Sequence, residues 1–468
     1  MSESWANSGG LDLHLQFAPG GGTGVRAALQ RALRDAVRAG RLAPGSRLPP
    51  SRTLAADLGI SRNTVAEAYS ELVEEGWLTA RQGSGTLVAR RARPDEPVHR
   101  PQRTLKPRGP SHDLMPGSPD ASTFPRTAWL ASARRALTAA PHEAFGRGDP
   151  RGRVELRRAL VEYLARARGV RADVNRIVVC SGTAHALSLL AGVLSGPVAV
   201  EAYGLHVHRD LLAGHGVRTV PIGVDEHGAR TADLAGVDAR AALVTPAHQF
   251  PTGGPLHPER RAAAVDWARA TGGVLLEDDY DGEFRYDRQP VGAVQGLDPE
   301  RVVYLGTISK SLSPALRLGW MVLPGRLVDP VLAVKGSQER WASSLDQLTL
   351  ADFISSSGYD RHVRRMRLRY RKRRDQLVAL LAERAPHIRV TGIAAGLHAV
   401  LDLPAGTEEA VVSAGVRHGV SLEGLAPYRH PDAAVPARDG VVVSYGTPAD
   451  SVFASALDAL CRTLPPRP

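Results

Sequence analysis

Five short runs, at 176–180, 198–201, 242–245, 273–277 and 302–305, are apolar almost without interruption, and stretches of helical character separate them. A strand that is apolar at every position, rather than at every second one, has both faces covered. Such strands alternating with helices predict an α/β fold, a parallel sheet between helical layers. The predicted unit starts near residue 126. A chain of 468 residues is too long for one ordinary domain, so two or three are expected.

The N-terminal part has a different grammar. Residues 1–22 are polar and glycine-rich and read as a flexible lead. Val25, Leu29, Leu33 and Val37 then recur every four residues, the stripe of a helix that Gly40 ends. Ser51 reads as the cap of a short helix ending near Leu58-Gly59. Ser61 reads as the cap of a longer one reaching Glu75-Gly76. Two short strands, 77–79 and 86–88, flank Gly83-Ser84-Gly85. Three helices and a β-wing therefore occupy roughly 23–90. In the third helix Val65, Ala68, Tyr69 and Leu72 form the buried stripe, which leaves Arg62, Asn63 and Thr64 at its exposed start. A recognition helix meets base edges at that end. Arginine there can pair bidentately with guanine, and Thr64 can reach phosphate or a thymine methyl. Arg52 opens the preceding helix, and Gln82 and Gly83 at the wing tip can approach a minor groove. The chain carries 59 Lys and Arg against 48 Asp and Glu, a net +11, which favours double-stranded DNA as a partner.

Between the two parts, residues 91–125 interleave Arg91, Arg93, Arg100, Arg103, Lys106 and Arg108 with five prolines up to Pro110, the pattern of a semi-extended linker. The run from Arg361 to Leu381 predicts a long basic helix leading into a smaller C-terminal subdomain from about residue 360. Its charges read as a solvated face, with contact to bent DNA as the weaker alternative. Cys180 and Cys461 are the only cysteines, which fits a reducing cytoplasm and gives no zinc pattern; no metal is expected. No secretory signal is seen, and no apolar run of about eighteen residues predicts a membrane span.

The chemistry gathers around Lys310, one of four lysines in the chain. It lies in Thr307-Ile308-Ser309-Lys310-Ser311-Leu312-Ser313-Pro314, with Arg317 close behind, and Glu277-Asp278-Asp279-Tyr280 precedes it by about thirty residues. An amine, a carboxylate, a phenol and an arginine are the groups needed to hold pyridoxal phosphate. Asp278 and Tyr280 share one face of an extended chain, and Asp279 then points the other way as a structural residue. Ser181-Gly182-Thr183-Ala184 follows a strand and opens an apolar helix, where backbone N–H groups make an anion site; an ordinary strand-to-helix turn is the plain alternative.

Residues 24–90 resemble the GntR family of winged helix-turn-helix domains, on Gly40-Arg41-Leu42-Ala43-Pro44-Gly45, Leu48-Pro49-Pro50-Ser51-Arg52, Leu58-Gly59-Ile60-Ser61-Arg62-Asn63-Thr64-Val65 and Gly76-Trp77-Leu78. Residues from about 113 to 465 resemble fold-type I, class I/II aminotransferases, and the two joined in this order resemble MocR-type regulators. The resemblance implies pyridoxal 5'-phosphate held as an internal aldimine on Lys310, with Asp278 facing the pyridine nitrogen and Tyr280 on the ring hydroxyl. It also implies phosphate contacts from Gly182, Thr183, Ala184, Thr307, Ser309 and Arg317, and a polar group near the ring hydroxyl from His248 or Gln249. Homodimers with sites at the subunit interface are expected.

Three positions depart from the aminotransferase pattern. Leu205 stands where the family has a ring-stacking tyrosine, so Tyr203 or His206 substitutes or the ring packs on an aliphatic face. Val442 stands where a carboxylate-clamping arginine is sought, with Arg429 or Arg438 as possible replacements from a nearby loop. Ala184 replaces a common glutamine. The missing clamp favours the vitamer itself as the signal, with control of vitamin B6 synthesis, over an amine or amino-acid effector. An active aminotransferase with an autoregulatory DNA-binding head is the alternative reading.

Overall fold

A computed structural model describes residues 24–81, 85–90, 111–286, 291–337 and 342–467. The expected lead, most of the linker, and the wing-tip residues Gln82 and Gly83 lie outside the described residues. The chain divides into two compact units, Met1–Pro107 and Arg108–Pro468.

The first unit contains α1 (Val25–Arg38), α2 (Ser51–Leu58), α3 (Arg62–Glu74) and a hairpin of β1 (Leu78–Arg81) and β2 (Gly85–Val88). The apolar stripe of α1 runs differently from the four-residue repeat. Leu29, Gln30, Leu33 and Ala36 are buried and Val25 is exposed. A spacing of four overshoots the 3.6-residue turn, so the repeat drifts off the contact face. The cap of α2 is also corrected. Ser51 is its first helical residue, the capping position is Pro50, and Gly59 ends the helix in the left-handed region at φ 66°. Ser61 does cap α3, its Oγ accepting from Thr64 N at 3.1 Å. Val65, Ala68, Tyr69 and Leu72 pack inward as their spacing predicts, and the Tyr69 hydroxyl donates to Pro49 O at 3.0 Å. Arg26 with Glu67 and Arg34 with Glu75 tie α1 to α3 along its surface.

The second unit opens where the linker was expected to continue. β3 (His112–Asp113) is already paired, Leu114 is fully buried, and Asp120 is buried against Arg369. Residues 111–125 are thus folded rather than linker. Proline and arginine dominate only as far as Pro110, and beyond it the composition becomes ordinary.

The main sheet is built from β4 (Ile177–Cys180), β5 (Val198–Glu201) and β6 (Thr219–Ile222). After a small hairpin of β7 (Val224–Asp225) and β8 (Gly228–Ala229), it is completed by β9 (Ala241–Val244), β10 (Val274–Asp279), β11 (Val302–Thr307) and β12 (Gly319–Val322). Its order is β4-β12-β11-β10-β9-β5-β6. The sheet is mixed, since β12 runs antiparallel to both neighbours and all other pairings are parallel. The five strands read from sequence are present, and β6 and β12 join them. Apolar clusters cover both faces, as continuously apolar strands require.

A 27-residue helix, Gly358–Arg384, leads to the smaller sheet of β13 (Arg389–Thr391), β14 (His398–Asp402), β16 (Glu423–Gly424) and β17 (Gly440–Ser444). Between β14 and β16, β15 (Val420–Ser421) pairs with β3 in parallel. Several arginines of the long helix are spent inside the unit. Arg373 is buried on Tyr445 O and Asp450, Arg369 reaches Asp120, and Arg367 reaches Glu283 O. The reading of this helix as one solvated basic face is corrected accordingly. Among the described residues no helix is long and apolar enough to cross a membrane.

Candidate functional site

Ligands of open α/β sheets collect beyond the carboxyl ends of the parallel strands. β10 and β11 end there on Asp278-Asp279 and Gly306-Thr307, in register side by side. β4 ends beside them, across β12, and passes through Ser181-Gly182 into the helix Thr183–Ala191. Gly182 has φ 102°, which only glycine adopts freely, and a Cβ on Gly319 would lie 2.8 Å from its Cα. Backbone therefore meets backbone at this turn, which opens the helix at Thr183.

A cavity of about 350 Å³ opens at this point. Of the residues proposed from sequence, Gly182, Thr183, Ala184, Asp278, Tyr280, Thr307, Ser309, Lys310 and Arg317 all line it. Three do not. Tyr203 turns into a small apolar cluster with Val400, Leu425, Tyr428 and Val442, and its hydroxyl accepts from Arg438 N at 3.1 Å. Gln249 is buried, donating to Glu201 and to the Tyr203 and Phe250 carbonyls. His248 stands behind Tyr280, its Nδ1 3.1 Å from the Tyr280 hydroxyl and 2.9 Å from Asp281 Oδ2. The expectation that Tyr203 or Gln249 reaches into the pocket is thus not met, and His248 meets it through its lining residues Tyr280, Asp281 and His398. Leu205, His206 and His208 occupy the wall where a stacking ring was sought.

The electrostatics follow from burial. Burial first, and the Asp279 charge second, push the Asp278 carboxyl up to about 7, against the pull of Lys310. Thr183 Oγ1 is its hydrogen-bond neighbour at 3.4 Å. Burial lowers Lys310, opposed by Asp281 and Asp278, which favours the free amine that a nucleophile needs. Its Nζ donates to Gly117 O. Burial likewise raises Tyr280 well above the usual phenol range, lowers His208 to about 4, and drops His398 well below its ordinary value. Asp279 faces away as its strand parity requires. Arg168 Nε and Nη2 hold it at 2.6 and 2.9 Å, and the Tyr304 hydroxyl adds a bond at 2.7 Å.

Asp278 sets a pH test. Its ionisation falls near pH 4 in the unfolded chain and near 7 in the fold, so the fold binds the extra proton between those values and loses stability as pH rises through them. Asp278→Asn removes that dependence. Paired melts of cofactor-free protein are expected to show the variant gaining on the wild type from pH 4.5 to 7.5. A constant difference between the two would refute the assignment.

Among the described residues no arginine offers a free guanidinium to a carboxylate in the cavity, apart from Arg317 on the side of the Gly182 turn. Val442 is fully buried. Arg429 is bonded to Ala433 O and Val435 O, Arg438 to Asp402, and neither lines the cavity, which corrects the expectation of a clamp from that loop. Arg209 does line it, but its two Nη atoms serve the carbonyls of Gly204, Tyr428, Pro427 and Arg429. A second, more open groove of about 760 Å³ lies on the Asp279 side. Arg166 pairs there with Asp360, and neither Lys310 nor Asp278 lines that groove, so the smaller cavity holds the reactive groups.

Sequence reasoning missed Asp281, His208, His398 and Gly117, all at the cavity or against Lys310. Asp281 directly follows the acidic motif and could have been included. His398 comes from the C-terminal sheet and carries no local signal.

In the first unit Arg52, Arg62 and Asn63 are exposed, whereas Thr64 is half-buried and its hydroxyl lies 2.8 Å from Ser61 Oγ. The Thr64 hydroxyl is therefore engaged in the helix cap.

Comparison with known proteins bears on both units. The family described as bacterial regulatory proteins, gntR family, matches residues 23–88. Aminotransferase class I and II matches residues 117–422. The HTH-type pyridoxine biosynthesis transcriptional regulator PdxR of Corynebacterium glutamicum is 32% identical over 448 residues, 93% of this chain and 95% of its own. The probable rhizopine catabolism regulatory protein MocR of Rhizobium meliloti is 34% identical over 374 residues, 75% of this chain and 76% of its own. Among solved structures, an archaeal alanine:glyoxylate aminotransferase aligns with a TM-score of 0.69 at 22% identity, covering 75% of this chain and 90% of that one.

Proposed function

Because the chain belongs to the MocR-type transcriptional regulators, a GntR helix-turn-helix joined to a class I/II aminotransferase domain, we propose that it controls promoter DNA in response to pyridoxal 5'-phosphate carried on Lys310. The observation that supports this most is the convergence of Lys310, Asp278, Tyr280, the Gly182 turn and Arg317 on one cavity. The donor set fits the group. A buried carboxyl pushed up to about 7 is a ready partner for a ring N–H, and a helix start with a neighbouring arginine suits a phosphate. Bound there, the cofactor would supply an aldehyde to amines and a ring able to accept electrons. The chain's own part is to present Nζ as a free amine, to orient the ring through Asp278 and Tyr280, and to hold Tyr280 through His248 and Asp281.

Committing Nζ to the cofactor gives up its bond to Gly117 O. Gly117 lies just after β3, where the chain enters this unit, so ligand state would be felt first on the segment that leads back to the DNA-binding unit. Vitamin B6 synthesis is the regulated process we favour, since the relative of greatest coverage described above is named for pyridoxine biosynthesis. Lys310, Asp278 and Tyr280 would also serve an active aminotransferase, and the absence of a carboxylate clamp weighs against that second reading. We read the protein as a homodimer. The helix Arg126–Ala139 buries only Ser132 and exposes Leu130 at 70%, and Phe145 nearby is 55% exposed.

Operator binding tests the assignment. A labelled promoter fragment titrated with the full chain should change affinity when pyridoxal phosphate is added. Arg62→Ala should weaken specific binding by about 1–3 kcal/mol, roughly fivefold to 150-fold, if it reads a guanine. Unchanged affinity on both counts would defeat the proposal.

A further inference from the structure

The cavity carries one more acid than the proposed cofactor needs. Asp281 lines it and is 2% exposed. Its Oδ2 faces His248 at 2.9 Å, but its Oδ1 has no hydrogen-bond partner among the described residues. A buried carboxylate oxygen left bare is costly unless a cation or donor comes opposite. The cation it couples to is Lys310, the very amine given over to the cofactor in the reading above, on which this inference rests.

Glu423 adds a second carboxylate to the lining, its Oε2 accepting from the Tyr428 hydroxyl. Among the described residues no basic side chain other than Lys310 answers these acids. Arg209 is saturated by carbonyls, Arg317 belongs to the phosphate side, and burial holds His208 and His398 uncharged. A metal is not the natural occupant. Donor atoms of His248, Asp281 and His398 lie within 4.8 Å of one another, yet His248 Nδ1 is shared between Asp281 and Tyr280, and His398 Nε2 lies 3.1 Å from Pro251 O.

We propose that the cavity binds, beside the cofactor, an amine bearing a second cationic group, in its simplest form a diamine. Asp281 Oδ1 receives that second cation, and the site discriminates against a carboxylate in the same position.

The test uses full-length protein loaded with pyridoxal phosphate and freed of excess. The visible absorbance of the bound cofactor is recorded first. Calorimetric titrations then compare n-butylamine, 1,4-diaminobutane and 4-aminobutanoate, which differ in the charge at the far end. The diamine is expected to bind about ten- to a hundredfold more tightly than butylamine, the range of a charge-assisted hydrogen bond, and 4-aminobutanoate no more tightly than butylamine. Asp281→Asn should remove most of the diamine's advantage. Wild-type protein that takes 4-aminobutanoate as tightly as the diamine overturns the proposal, as does an advantage that survives in Asp281→Asn. The wild-type ranking decides alone if the variant does not fold or load. A wild-type protein that never acquires the cofactor absorbance defeats the reading of the site itself, a different result from a wrong ranking.

Discussion

Lys310→Ala is expected to abolish covalent capture of pyridoxal phosphate completely, rather than weaken it. Incubated with the vitamer and treated with borohydride, wild-type protein should gain the mass of one reduced adduct, and the variant none. The prediction is all-or-none because no other lysine among the described residues lines the cavity. Of its other lysines, Lys335 is buried with Nζ bonded to Pro150 O and Val179 O, and Lys372 lies on the long helix and does not line the cavity. Lys106 lies outside the described residues. The remaining contacts at Asp278, the Gly182 turn and Arg317 should still hold the vitamer weakly, so the variant is expected to show the spectrum of the free aldehyde. An adduct on Lys310→Ala, or none on the wild type, would refute the role given to this residue.

The largest loss of stability is expected on the other face of β10. Arg168→Met removes both guanidinium bonds to Asp279 and leaves its carboxylate buried with only the Tyr304 hydroxyl. Both partners are almost fully enclosed, with side-chain exposures of 4% and 2%. Breaking such a pair from one side costs about 3–5 kcal/mol, mostly as the penalty of the charge left behind. Denaturant melts of the isolated variant should register that loss. The double variant Arg168→Met with Asp279→Leu should recover much of it, since no charge is then stranded. A single variant within about 1 kcal/mol of wild type, the scale of a surface pair, would show that the pair is better solvated than its burial implies. Asp279 also raises Asp278, so the same substitutions should shift the titration of the site.

What could be read from the chain was whatever depends on neighbours in sequence. The cap at Ser61, the inward stripe of Val65, Ala68, Tyr69 and Leu72, the five apolar strands, and the opposite faces of Asp278 and Asp279 all follow from local spacing. Where spacing met tertiary context, it failed. β12 is only four residues long, and nothing in Gly-Trp-Met-Val reveals that it inserts antiparallel between β4 and β11. Tyr203 was offered to the cofactor on sequence position, but an apolar cluster from the C-terminal sheet claims its ring. The arginines of the long helix look alike in sequence and are sorted only by which acid or carbonyl the fold brings to each. His398 and Glu423 reach the cavity from strands far along the chain, beyond any local pattern.

The insertion of β12 between β4 and β11 also sets a timetable. The turn at Gly182 sits at the end of β4, and β4 has no partner in the sheet except β12, which is made some 140 residues later. A ribosome adds about 5–20 residues per second, so the growing chain carries a wholly apolar β4 without its β12 partner for roughly 7 to 28 seconds. Throughout that interval the edge is open to wrong partners, which makes chaperone occupancy during translation a foreseeable need of this protein.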